Sequence, residues 1–73
     1  MDEKAYEHIV QLARPEIEGI VRRFFVSLQM EEEIDDVVQE VLILLWRYRD
    51  RLDEVERLEA WINRMSRNHC VSR

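Results

Sequence analysis

The chain has 73 residues, with 11 Lys and Arg against 16 Asp and Glu, a formal net charge of −5, one Gly, one Pro and one Cys. That length allows one small domain that buries only about 60% of its unfolded surface, and the lone Cys70 rules out an internal disulfide to staple it. The scarcity of Gly and Pro argues against a turn-rich β fold, and 47% hydrophobic residues argue against disorder, so a compact helical unit is expected.

The first predicted helix rests on Ile17, Ile20, Val21, Phe24, Phe25 and Leu28, which repeat at the spacing of one helical stripe. Tyr6, Ile9, Val10 and Ala13 carry the same period upstream. Pro15 lacks an N–H and disfavours helical geometry at Arg14, so the two pieces form either one kinked helix or two helices that meet there. The second helix is predicted from about Glu32 to Tyr48, with Ile34, Val37, Val38, Val41, Leu42, Leu44, Leu45 and Tyr48 inward. Asp35, Asp36, Gln39, Glu40 and Arg47 point mostly outward. Acids at Glu31 to Glu33 and arginines at Arg47 and Arg49 suit the two ends of its dipole. Its apolar arc, with Ile43 beside it, is wider than one face needs and predicts neighbours on two sides. The third helix is predicted to open between Asp53 and Leu58, where Asp53-x-x-Glu56 approaches a capping box. Leu58, Trp61, Ile62, Met65 and His69 then share one side. The connection from Arg49 to Arg57 holds no Gly or Pro and is expected to be short and largely polar.

Charge is uneven along the chain. Residues 1–40 hold 4 basic and 11 acidic groups, a balance of −7, whereas residues 41–73 hold 7 and 5, a balance of +2. Beyond Ile62 there are Arg64, Arg67 and Arg73 and no acid. A locally basic surface on an acidic chain leaves nucleic acid open as a partner, with weak binding to duplex DNA expected of the chain alone.

No catalytic constellation is visible. Ser27, Ser66, Ser72, Cys70 and the two histidines are scattered, and adjacent Asp35 and Asp36 point about 100° apart on a helix. Cys70 beside His69, with His8 distant, gives no zinc-ligand spacing, and the single Gly19 cannot form a phosphate loop. The expectation is a protein that is not an enzyme and that needs no cofactor or metal. No apolar run approaches about 18 residues, and no basic start leads into a hydrophobic stretch. Neither a membrane span nor a signal peptide is expected, and the expected location is a reducing cytoplasm.

Three blocks carry a family resemblance: Ile34-Asp-Asp-Val-Val-Gln-Glu-Val-Leu-Ile-Leu-Leu-Trp46, Asp50-Arg-Leu-Asp53 and Ala60-Trp-Ile-Asn-Arg-Met-Ser-Arg-Asn68. Together they resemble region 2 of bacterial RNA polymerase sigma factors, most of all the extracytoplasmic-function (ECF) group of the sigma-70 family. Asp36, Gln39, Glu40, Trp46, Trp61, Arg64, Arg67 and Asn68 fall in register with that group's pattern, an Asp-x-x-Gln-Glu helix followed by a loop and a Trp-containing helix. The resemblance spans about residues 5–73.

The resemblance implies an all-α, compact bundle of three to four helices, with residues 1–73 forming a single region 2 domain. Its second helix would dock on the clamp helices of the polymerase β′ subunit through Asp36, Gln39 and Glu40, beside Leu42, Ile43 and Trp46. The loop Leu52, Asp53, Glu54, Val55, Glu56, Arg57 and Leu58 would capture a flipped base of the non-template strand of the promoter −10 element. Arg64, Arg67 and Asn68 would then lie near bases and phosphates. This chemistry is consistent with the residue types, since Asn hydrogen-bonds a base edge and Arg neutralises phosphate or stacks. Trp61, in line with Leu58, Ile62 and Met65, reads as core before it reads as a base platform, while Trp46 could be either core or contact. Asn68, late in its helix, could also serve as a cap.

Departures from the family pattern are also present. The loop carries Asp53, Glu54 and Glu56 against Arg57 alone, which repels phosphate. The usual Ile-Ala is Met65-Ser66, and Ser72 stands where the family often has Asp. The domain that reads the −35 element is absent, so the sequence is expected to be a fragment of a longer factor. A competing function is a sigma-like interaction module held by an anti-sigma partner, or one that self-associates without reading a promoter. A stand-alone helix-turn-helix reader is disfavoured, because Arg49 to Arg57 lacks the usual Gly turn.

Overall fold

Asp2 starts the first helix: its carboxylate accepts a hydrogen bond from the Ala5 N–H at 2.8 Å, satisfying a donor that the helix itself leaves unpaired. The computed structural model describes residues 2–73. Helix α1 spans Glu3–Ser27 without interruption, so Pro15 lies inside one continuous helix. Pro15 and Gln11, one turn earlier, both lie on the exposed side of the helix. On the opposite side, Ala13 and Ile17 are buried and hold the two halves of the helix to the same core.

Helix α1 ends in a Schellman arrangement. The Met30 N–H donates to the Phe25 carbonyl at 2.9 Å and the Gln29 N–H to the Val26 carbonyl at 3.0 Å, with Gln29 at a φ of 58°. A 3₁₀ turn over Glu31–Glu33 then leads into α2, Ile34–Arg47. The three glutamates thus precede the α-helix, whose own first turn carries Asp35 and Asp36. A second 3₁₀ helix covers Arg49–Glu54, and α3 spans Leu58–Ser72.

The core is a seam where the three α-helices meet. Ile17, Val21 and Phe25 of α1 pack against Val37, Val41 and Leu45 of α2, with Ile62 and Cys70 closing the cluster from α3. Helix α2 contacts both of the others, as its wide apolar arc predicts. Among the described residues no helix is long and apolar enough to cross a membrane.

Three expectations are corrected. Tyr48 caps the end of α2 and lies at the surface, because the helix stops before its turn would bring it inward. Asp53-x-x-Glu56 does not cap α3: Asp53 belongs to the second 3₁₀ helix, and the N-cap of α3 is Arg57, which makes no side-chain cap bond. Leu52 is 3% exposed and belongs to the core, since the 3₁₀ turn folds it back under the loop. On α3 the expected inner side holds, with Ile62 buried and Leu58, Trp61, Met65 and His69 half-buried, and Ser66 and Cys70 are buried as deeply as Ile62. Ser66 can be fully buried because its hydroxyl donates to the Ile62 carbonyl at 2.8 Å.

Candidate functional site

Two surfaces collect most of the residues that the sequence singles out. The first is the outer face of α2. Asp36 has 74% of its side chain exposed, Gln39 is exposed, and Ile43 and Trp46 expose 49% and 47% of their surface. Leu42, behind them, is half-buried and packs on the core. Trp46 is fixed in place: the Tyr6 ring meets it edge-on at 5.1 Å, and the Arg49 guanidinium lies 3.7 Å above its ring. It therefore fastens α1 to α2 while leaving about half of its surface exposed. Burial raises the Tyr6 hydroxyl pKa in this corner, with the Arg49 charge opposing.

Glu40 behaves differently from its neighbours. Its carboxylate meets His69 Nε2 at 2.8 Å and is also bonded by Arg73, which donates from Nε to Glu33 at 2.8 Å and lies 3.8 Å from Asp36. The last turn of α3 is thus clipped to the start and middle of α2. The His69 hydrogen bond is the main cause that lowers the Glu40 pKa, Arg73 lowers it further, and partial burial opposes both. Sequence periodicity counts Glu40 as outward and solvated, but in the fold it joins two helices.

The second surface is a groove of about 760 Å³ between the second 3₁₀ helix and α3. Tyr48 and Trp61 form an aromatic wall, their rings edge to face at 5.7 Å. Glu54, Val55, Arg64 and Asn68 line the same groove, and so does His69. Asn68 lies inside α3, which continues to Ser72, so it does not cap the helix. Arg67 turns to a neighbouring groove with Arg64 and Asn68, and its Nε donates to Asn63 at 3.0 Å. Arg57 and Leu58 line a separate apolar depression with Ile9 and Leu12. Asp53 and Glu56 are exposed on the loop. The groove residues that the family motifs do not assign to DNA are Leu44, Tyr48, Arg51, Trp61, Met65, His69 and Ser72. The α3 period sets Trp61, Met65, His69 and Ser72 along one side of that helix, and Trp61 also falls in the family register.

A helix bearing Asp36, Gln39 and Glu40, a short loop, and a Trp-bearing helix stacked against it are therefore present in this order. The model of the family Sigma-70 region 2 matches residues 9–73. The chain belongs to the sigma-70 region 2 family. No curated protein and no solved structure matches it. A sigma-70 region 2 domain acts in transcription initiation, where sigma factors work with RNA polymerase and promoter DNA. The all-α bundle agrees with that membership.

Proposed function

We propose that this sigma-70 region 2 domain, of the ECF group, docks on the β′ clamp helices of RNA polymerase and holds the melted −10 element of a promoter. What supports the docking is the outer face of α2, where Ile43 and Trp46 expose apolar surface in line with Asp36 and Gln39. A polar and apolar stripe of this kind suits a helix of opposite charge laid beside it. The Tyr48/Trp61 groove supports base capture. An unpaired base gains stacking surface there, Asn68 offers a donor and an acceptor to a base edge, and Arg64 offers charge to a phosphate. Loop residues Glu54 and Val55 line the groove, while Leu52 anchors the loop from beneath. Melting in this reading draws on binding energy, with no covalent step, and it takes place in the cytoplasm with the polymerase.

Glu40 is unsuited as the test position, because charge reversal there also breaks the contacts to His69 and Arg73. The experiment is a titration of wild type, Gln39→Arg and Ile43→Arg against an isolated β′ clamp coiled coil at two salt concentrations. Saturable binding that weakens about tenfold or more in either variant, and weakens with salt, is the expected result. A folded wild-type domain that fails to bind would overturn the docking.

A further inference from the structure

We infer that Arg23 of α1 forms, with Arg67 of α3, a further binding site for the phosphodiester backbone of single-stranded nucleic acid. The inference extends the base-capture reading above and rests on it. A groove of about 430 Å³ runs between α1 and α3, lined by Arg23 and Arg67 over an apolar floor that includes Ile20, Phe24 and Cys70. No carboxylate lines it, although the whole chain carries −5. Among the described residues neither arginine has an acidic partner. Arg67 donates only from Nε, to the neutral Asn63, which leaves its terminal N–H groups for an anion. Two guanidinium groups on different helices, each with donors in a planar fork, match the oxygens of a phosphodiester.

The position of the groove supports a nucleic-acid strand as the occupant. Arg64 and Asn68 line both the aromatic groove and its neighbour on α3, and Asn63 and Arg67 line both that neighbour and the Arg23 groove. The three depressions therefore follow one another around the exposed side of α3. A strand with one base held against Tyr48 and Trp61 would cross Arg64, pass Arg67 and reach Arg23 on α1. Glu16 and Glu59 border the middle depression and would keep the strand on its arginine side. Arg22, the adjacent residue, faces a different depression with Glu18 and Asp35, and so serves as a control of equal charge.

The test is fluorescence anisotropy of the full chain with a short labelled single-stranded DNA, over a salt series, for wild type, Arg22→Ala, Arg23→Ala and Arg67→Ala. Clamp titration and circular dichroism run on the same samples. Arg23→Ala is expected to weaken DNA binding about threefold to tenfold and to reduce the salt slope by about 0.7, the value for one phosphate on a single strand. Arg22→Ala should leave both near wild type, and clamp binding should be unchanged in Arg23→Ala. DNA binding and slope at wild-type values in Arg23→Ala would overturn the inference and leave the clamp reading standing. A folded wild type that binds no oligonucleotide even at low salt would also overturn it. Clamp binding lost in Arg23→Ala while DNA binding persists would assign the groove to an acidic protein segment instead.

Discussion

Gln29 holds the left-handed turn that lets α1 fold back toward α2, with a φ of 58°. That conformation brings a β-carbon close to the backbone carbonyl, which costs an L-residue roughly 1–2 kcal/mol, whereas Gly adopts it freely. The turn is kept because both Schellman hydrogen bonds form and Met30 packs on the core. Gln29→Gly therefore removes the strain at the cost of a more flexible unfolded chain. The net expectation is a gain of about 0.5–1 kcal/mol in urea unfolding, with the denaturant slope unchanged. Ser66 shows the same economy in the core, where a hydroxyl bonded one turn back occupies a site too enclosed for water.

Helix α1 carries its own defect at Pro15. A proline in a helix interior costs about 3 kcal/mol through the missing hydrogen bond and the clash with the carbonyl one turn earlier. The helix continues because Ala13 and Ile17, on either side, are pinned to the core, while Pro15 itself lies on the exposed side. Pro15→Ala restores the bond at an exposed position without touching packing. It is expected to raise stability by about 2 kcal/mol, read as a shift in the urea midpoint, after allowing for the greater freedom of the unfolded chain. A destabilised Pro15→Ala would mean that the proline itself fits α1 to its neighbours. Helix α2 contacts both other helices, with Val37, Val41 and Leu45 in the shared core while Asp36, Gln39 and Ile43 remain outside.

For the whole molecule, the clip from α3 to α2 ties stability to pH. The Glu40 pKa is lowered in the fold from its ordinary value of 4.5, first by the His69 hydrogen bond and then by Arg73. A carboxyl whose folded pKa is depressed adds stability that is present above its unfolded pKa and lost as pH falls through the folded value. The thermal midpoint should therefore fall as pH drops below about 4.5, and part of that fall should vanish in Glu40→Gln. Equal acid sensitivity in wild type and variant would show that other carboxylates carry the effect. Because Glu40 lies between the α2 face and His69 of the aromatic groove, the clip also sets the spacing of the two proposed surfaces.

The sequence by itself determined the helices, their order and most of their buried faces, because a period near 3.6 in apolar residues records which side of a helix meets the core. It also determined the family, since Asp36, Gln39, Glu40, Trp61, Arg64, Arg67 and Asn68 stand at the spacing of a sigma region 2. Local rules failed where contacts between distant residues overrode them. Asp53 and Glu56 read as a cap, but burying Leu52 draws the chain into a 3₁₀ turn and delays α3 to Leu58. Pro15 read as a break or a kink, and packing on both sides of it decided for one helix. Glu40 with Arg73, Tyr48 with Trp61, and Arg23 with Arg67 are separated by 13 to 44 residues, and no pattern within one helix encodes such pairs. Only the tertiary structure decided them, because each depends on how the helices rotate and cross once the shared core has closed.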